Sequence, residues 1–298
     1  MSADEVVGTV EQIHRFPVKS MLGERLEAAE IGERGLFGDR AWAVVDRGDG
    51  TVASAKRPRR WARLLELRAV YVEPPSAGAP LPPVRIDLPD GTVVRTDTPG
   101  ADGILGRFIG REVALTDDAP TRRRFHEVWP AIEGLAPAEF IEGTTVGDDD
   151  GDPVSEIDLA AAAPGTFFDV APLHLLTTGT LDALAAHDPA ATFDVRRYRP
   201  NLLVRSGAAG FVENAWPGRT VAVGAEVRAT GLLATMRCVM TTLAQDGLPP
   251  DRATLRAVAA ANRVEIPGLG TWACAGVYAG VAAGGTVRLG DEVVLVGG

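Results

Sequence analysis

Apolar and polar positions alternate in short runs over residues 1–120, and each run stops at turn residues. VVGTVEQIHRFPV alternates near its start and breaks at Pro17. AWAVVD is a β-branched run closed by RGDG, whose residues 48–50 suit a tight hairpin turn. LLELRAVYVE alternates as a half-buried strand does, and VRIDLPDGTVVRTD reads as a hairpin turning at Asp90-Gly91. In ADGILGRFIG, Ile104, Leu105, Phe108 and Ile109 share one helical face, which predicts a short helix.

Over residues 121–166 the periodicity dissolves into charge runs, prolines and glycines, and an irregular connection is expected. The acidic patch VGDDDGDP invites comparison with a calcium loop. Its later ligands do not line up, and a solvated loop tip is the expectation. Regular structure resumes at Phe167. TTGTLDALAAHDP predicts a helix with Thr180 as its cap, and TLRAVAAANR predicts another after Asp251. RPNLLVRSG and TVAVGAEVRATG predict strands, and GVYAGVAAGGTVRLGDEVVLV closes the chain with a Gly-Gly turn and a final strand. The pattern predicts a mainly β fold with a few helices.

Composition narrows the class. With 298 residues, 46% of them hydrophobic, the chain can bury a substantial core in one large or two moderate domains. A net charge of −10 repels a phosphate backbone, so nucleic acid is an unexpected partner. MSADEVVGTV does not read as a signal peptide, and no apolar run reaches the length of a membrane span. A cytoplasmic protein without a membrane partner is expected. Two cysteines are too few for a disulfide framework, though one bridge between Cys238 and Cys274 stays open.

No GxSxG, P-loop, HExxH or CxxC signature is present, and His14, His126, His174 and His187 show no metal-ligand spacing. The four histidines are therefore left outside the expected site. Basic and hydroxyl residues instead gather at turns: Lys19 and Ser20 in FPVKS, Arg40 in GDRAW, and Arg199 with Asn201 in RPN. TVASAKRPRRW adds Ser54, Lys56, Arg57, Arg59 and Arg60. Taken singly these decorate loops; gathered, they would form a positive pocket for a phosphorylated small molecule. Cys238 is either a buried small hydrophobe or a functional thiolate favoured by Arg237 beside it, provided the two approach each other. Cys274, between alanines, reads as packing.

FPVKS, GDRAW, RPNLLV, RCVMTT and the closing GVYAGVAAGGTVRLGDEV together resemble the MOSC proteins, named for the C-terminal domain of molybdenum-cofactor sulfurase. Members include the mitochondrial amidoxime-reducing component and its bacterial relatives. The resemblance implies two β-barrel-like domains: an N-terminal one over 1–120, a connection over 121–166, and the MOSC barrel at the C-terminus over 167–298. It implies a molybdenum cofactor (molybdopterin) between them, with Cys238 as catalytic residue and metal ligand. Lys19, Ser20, Arg40, Ser54, Arg199 and Asn201 would bind the cofactor, together with a hydroxyl from Thr177 or Thr178. At the level of the family, pyridoxal phosphate binding is also implied.

The implied activity is reduction of N-hydroxylated small molecules by oxygen-atom transfer. A persulfide-bearing sulfur carrier or sulfurtransferase using Cys238, and a non-catalytic cofactor-binding module, are the alternatives. RCVMTT continues here as LAQDGLPP, where relatives often carry an acidic residue and proline, so the substrate-side loop departs from the family. The sequence has no cysteine-rich ferredoxin-like extension after the barrel, so electrons are expected from a separate flavin, iron–sulfur or haem protein.

Overall fold

A computed structural model describes residues 3–119, 124–158 and 165–297. Its largest element is a sheet of which seven strands close into a barrel. Round the barrel they run Leu173–Thr177, Leu202–Ser206, Glu5–Arg15, Glu292–Leu295, Thr220–Val223, Val227–Met236 and Gly270–Ala283, and the last pairs with the first. Leu173–Thr177 and Leu202–Ser206 are parallel; the other pairs round the ring are antiparallel.

The closure follows from alternation. Leu173 and Leu175, Leu202 and Val204, Val221 and Val223, Val227 and Ala229, Val277 and Ala279, and Val293 and Leu295 all point into one buried cluster. Every second residue of a strand faces the same side, so each of these strands can give its apolar face to one interior. The opposite face of the ring is covered by the helices Thr178–His187 and Ala253–Ala261, whose Leu184, Leu255 and Val258 pack on Leu176, Leu203, Ala234 and Cys274.

Several sequence expectations hold. The hairpin Val84–Asp87 and Val93–Arg95 turns at Asp90-Gly91, and Ala101–Ile109 is helical. The fold is mainly β with six α-helices among the described residues.

Three expectations are corrected. The C-terminal barrel is not built from the C-terminal half alone, because Glu5–Arg15 is one of its staves, held between Leu202–Ser206 and Glu292–Leu295. Of the rest of the first 120 residues, Glu24–Leu26 pairs with Glu5–Arg15, and Ala28–Gly32 pairs with Gly285–Arg288 and packs on the barrel core. The strands from Ala43 to Thr116 form small separate sheets around a second core of Trp61, Leu64, Ile86 and Leu105, and among the described residues no second ring closes there. Nor is the middle merely irregular. Arg124–Val128, Thr145–Asp149 and Asp152–Asp158 form a three-stranded antiparallel sheet beside the helix Ala138–Thr144. Of that stretch, 121–123 and 159–164 lie outside the described residues. Lastly, the cap of Thr178–His187 is Thr177 rather than Thr180: the Thr177 hydroxyl accepts the Thr180 N–H at 3.2 Å.

Candidate functional site

One cavity lies where the mouth of the barrel meets the N-terminal loops, and it gathers Lys19, Ser20, Arg40, Arg199, Asn201 and Cys238. Local structure explains the gathering. Cys238 follows the strand Val227–Met236 and heads a tight 3₁₀ turn, where its carbonyl accepts the Thr241 N–H at 3.2 Å and the Thr241 hydroxyl at 3.1 Å. Arg199 ends the short helix Val195–Tyr198 in the left-handed conformation. Ser20, Arg40 and Arg199, with φ of 64°, 46° and 55°, are three of the five described non-glycine residues in that region, and all three line this cavity. A side chain there costs on the order of 1 kcal/mol or more, and such strain collects where a site fixes its geometry.

Aromatic rings and carbonyls hold the cations in place. Arg40 and Arg199 lie over the Phe16 ring at 4.6 and 4.0 Å from its centroid. Arg199 donates to the Met21 carbonyl at 2.8 Å, and Arg40 to the Arg199 carbonyl at 3.3 Å and to the Asp39 carboxylate. Asn201 has its amide engaged within the protein. It donates to Asp39 at 2.9 Å and to the His14 carbonyl at 3.3 Å, and accepts the His174 N–H at 3.0 Å. Its contribution is to lock the strand Leu202–Ser206 to the loop carrying Asp39 and Arg40.

Asp169 is a partner that sequence reasoning missed. Residues 165–172 are stitched to the N-terminal half because Phe167 donates its N–H to the Arg40 carbonyl at 2.9 Å and accepts from Lys19 Nζ at 3.0 Å. That seats Asp169 between two ammoniums: Lys19 donates to it, and Lys56 lies 3.3 Å away. Burial alone would raise this carboxyl, yet the two lysines hold it well below the usual range, so it stays ionised. Lys56 also donates to Glu127 at 3.0 Å, a contact set up because the Val128 N–H binds the Lys56 carbonyl at 2.9 Å. Burial opposes the Lys56 charge, but Asp169 and then Glu127 more than reverse this and keep it an ammonium.

The cavity wall thus carries six cationic side chains, Lys19, Arg40, Lys56, Arg197, Arg199 and Arg237, against the single carboxylate of Asp169. It is a positive recess in a protein of net charge −10. Four wall residues also carry a buried polar atom with no protein partner: His174 Nε2, Arg197 Nε, Tyr198 Oη and Arg237 Nε. A polar, anionic ligand is what this wall fits.

Cys238 is 8% exposed, and burial pushes its thiol up; Lys56 and Arg237 pull it down, and Glu127 raises it. Of the two readings of Cys238, burial is the observed state: Arg237 does favour the thiolate, but desolvation outweighs both cations, and the Arg237 guanidinium donates to the Tyr198 carbonyl at 3.0 Å. Cys274 is a free, fully buried thiol pushed up to about 12, packed in the core as expected, and no bridge joins the two cysteines. Among the described residues no three His, Cys, Asp or Glu side chains are grouped so as to hold a metal ion.

Other sequence candidates fall elsewhere. The Ser54 hydroxyl is turned back on its own loop and accepts the Lys56 N–H at 3.3 Å, so it is off the cavity wall. Thr178 lies at the head of its helix, accepting the Ser206 N–H at 3.1 Å, and Thr177 donates to the buried Glu213 at 2.8 Å; neither reaches the wall. From TVASAKRPRRW only Lys56 lines the cavity. Arg57 holds Asp149 through two bonds of 2.8 and 3.0 Å, Arg59 pairs with Asp150, and Arg60 pairs with Asp49 at 2.9 Å. The acidic hairpin tip is therefore an anchor for arginines. His174, left out of the expected site, does line the cavity. Its neighbour Gly276, at φ 93°, has no room for a Cβ, which would come within 2.4 Å of His174 Nε2.

Among the described residues, no helix is long and apolar enough to cross a membrane. The chain matches the family model of the MOSC N-terminal beta barrel domain over residues 7–72 and that of the MOSC domain over residues 163–294. The family model places a barrel domain over residues 7–72, which corrects the expectation that the MOSC barrel lies wholly at the C-terminus, and in the structure that stretch overlaps the stave Glu5–Arg15 of the ring. No curated protein matches the chain. Among solved structures, the crystal structure of the YuaD protein from Bacillus subtilis is similar at 10% identity, with a TM-score of 0.46 and coverage of 99% of this chain and 98% of that one.

Proposed function

The chain belongs to the MOSC proteins, and from that premise we propose that it binds a molybdenum cofactor through Cys238 and reduces N-oxygenated small molecules. The observation that carries this reading is one cavity holding a lone cysteine among six cationic side chains. A pterin that ends in a phosphate is a polar anion of the kind the wall fits, and Lys19, Arg40 and Arg199 are the groups that would hold its charge. The bound cofactor would supply a metal able to accept an oxygen atom from the substrate and to be re-reduced, with two electrons and two protons consumed and water released for each N–OH group.

The side chains have distinct tasks. Cys238 would supply the protein's sulfur ligand, and its thiol, raised by burial, would give up its proton to a cation that competes for the sulfur. Lys56 stays positive beside that sulfur and favours the ligating thiolate. Asp169 holds Lys19 and Lys56 in register. Stacked on Phe16, Arg40 and Arg199 present fixed charge with little left to reorganise. Electrons come from a separate donor protein carrying flavin, iron–sulfur or haem. Because Lys56 is held protonated, it is not the neutral amine that pyridoxal phosphate would need.

A sulfur-carrier role gains nothing from a thiol that is 8% exposed and raised by burial, since delivering sulfur needs a reachable thiolate. Purified from a host that makes the cofactor, the protein is expected to hold about one molybdenum per chain, and Cys238→Ser to lose most of it. A metal content near zero in the unmodified protein, with a removable extra sulfur on Cys238 by intact mass, would reverse the choice. Bound cofactor without turnover of an N-hydroxylated compound under a chemical reductant would leave only a binding module.

A further inference from the structure

A second cavity adjoins the first, and its walls are of another kind. Phe125, Trp129, Phe140, Trp272 and Tyr278 supply five aromatic rings, with Ile157 beside them. Trp129 and Phe140 meet edge to face at 5.9 Å and 87°, and Phe140 and Trp272 at 4.9 Å and 72°. Both indole N–H groups are taken, Trp129 donating to Ser155 at 2.8 Å and Trp272 to the Leu269 carbonyl at 2.7 Å. The two indoles therefore offer ring surface rather than donors. The volume is about 90 Å³, several times the 10–15 Å³ that a single water requires, and suits a six-membered ring.

The two cavities share Lys56, Asp169, Met236, Arg237 and Tyr278, so they adjoin across these five side chains. Over the wall of this second cavity Lys56 and Arg237 are matched by Asp169 and Glu127, two charges of each sign, in contrast to the strong positive excess around Cys238. A ligand in the aromatic cavity meets no net charge there, and an ionised ring substituent would have to be desolvated against apolar walls. Met236 and Arg237, which line both cavities, immediately precede Cys238 in the chain, and Lys56 shares the first cavity with it, which places the junction next to the cysteine.

We propose that this annex is a specificity pocket for a neutral aromatic ring, whose polar substituent passes the Lys56–Tyr278 junction into the cavity that holds Cys238. The proposal deepens the reductase reading and rests on it for the word substrate: aromatic or heteroaromatic N-hydroxylated compounds fill the annex, and small aliphatic ones leave it empty. Ring recognition itself needs no metal, so it can be read by binding alone.

The test compares benzamide with cyclohexanecarboxamide, which share a head group and nearly a size, by calorimetry or ligand-observed NMR. Benzamide is expected to bind about tenfold tighter, the upper range of what aromatic pairing adds to area burial. Half-buried Ile157 lines the annex, and Ile157→Trp fills it; benzamide affinity then falls about tenfold while the thermal midpoint stays near that of the parent protein. Should that variant misfold, Phe140→Leu removes one wall ring from a half-buried position and is expected to erase most of the preference. Equal binding of the two amides, or folded variants that keep the benzamide preference, overturns the proposal. A benzamide preference in protein that holds no molybdenum even when purified from a host that makes the cofactor would remove the reductase chemistry and keep the ring site.

Discussion

His174 lines the site, His14 lines a neighbouring cavity that shares Arg199 with it, and both histidines are held neutral. Burial lowers His14 to about 4, with Arg25 and Arg199 adding to the effect, and burial with Arg237 and Arg40 holds His174 well below its ordinary value. The unfolded chain takes up protons near pH 6.5 that the folded chain refuses, so stability falls as pH drops through the window from about 6.5 to about 4. For His14 the loss amounts to at most about 3 kcal/mol. Asp169 acts lower: its carboxyl is depressed, so its contribution is intact above the ordinary carboxylate range and disappears only below it. Glu127 has the opposite sign, because burial raises its carboxyl and acid relieves it. His14→Gln is therefore expected to flatten the decline in urea midpoint between pH 7 and pH 5, and a variant as acid-sensitive as the parent would refute this. The sequence made the basic members of the site legible, because Lys19, Arg40 and Arg199 stand in short motifs with a resembling family. Asp169 and His174 carry no such signature. They come to the cavity only because Phe167 is tied to Arg40 and Lys19, and because Leu173–Thr177 lies alongside Leu202–Ser206.

Helix and strand ends decide which hydroxyls are structural. Glu213 is fully buried, and burial raises its carboxyl, while the Thr180 and Thr177 hydroxyls donate to it at 2.6 and 2.8 Å. Thr177→Val keeps the shape and removes one donor together with the cap of the helix Thr178–His187. An expected loss of roughly 1–3 kcal/mol follows from leaving a buried acceptor short of a partner. Molybdenum content should not change, because neither Thr177 nor Thr178 lines the cavity. A drop in metal with stability unchanged would reinstate the hydroxyl as a cofactor contact. Element types with strong local rules were readable: Asp90-Gly91 fixes a hairpin, and the spacing of Leu105 and Ile109 fixes a helix face buried against Trp61 and Leu64. The stretch from Arg124 to Asp158 was not. Its polarity reflects pairing at a distance, with Arg57 to Asp149 and Lys56 to Glu127, and local periodicity is blind to partners so far apart in sequence. For the same reason the DDDGD tip, already engaged by arginines, is expected to show no change of thermal midpoint on adding calcium, and a rise would contradict this.

For the molecule as a whole, the consequential feature is that the barrel is closed by the first strand of the chain. Glu5–Arg15 hydrogen-bonds to Leu202–Ser206 on one side and to Glu292–Leu295 on the other, and its Val10 and Ile13 are 2% and 0% exposed in the barrel core. Read locally, VVGTVEQIHR is one more strand of an N-terminal half, since alternation gives a face but never a neighbour. Closure also organises the site. Phe16 to Ser20 leave the end of that same strand, so the barrel that positions Cys238 positions Lys19 and the Phe16 platform as well. Two separately folding halves would predict that residues 163–298 fold alone. The observed pairing predicts otherwise: without Glu5–Arg15 two strand edges are bare and the apolar interior is open to water, and both penalties fall on the fragment. Residues 163–298 expressed by themselves are expected to lack a cooperative thermal transition. The full chain should unfold with tryptophan fluorescence and far-ultraviolet circular dichroism changing together, because its site and its barrel share one set of strands. A fragment with a sharp transition of its own, or full-length probes separating by several degrees, would mean that the first strand is an accessory to the barrel, and that the cationic cavity can come apart while Cys238 keeps its place.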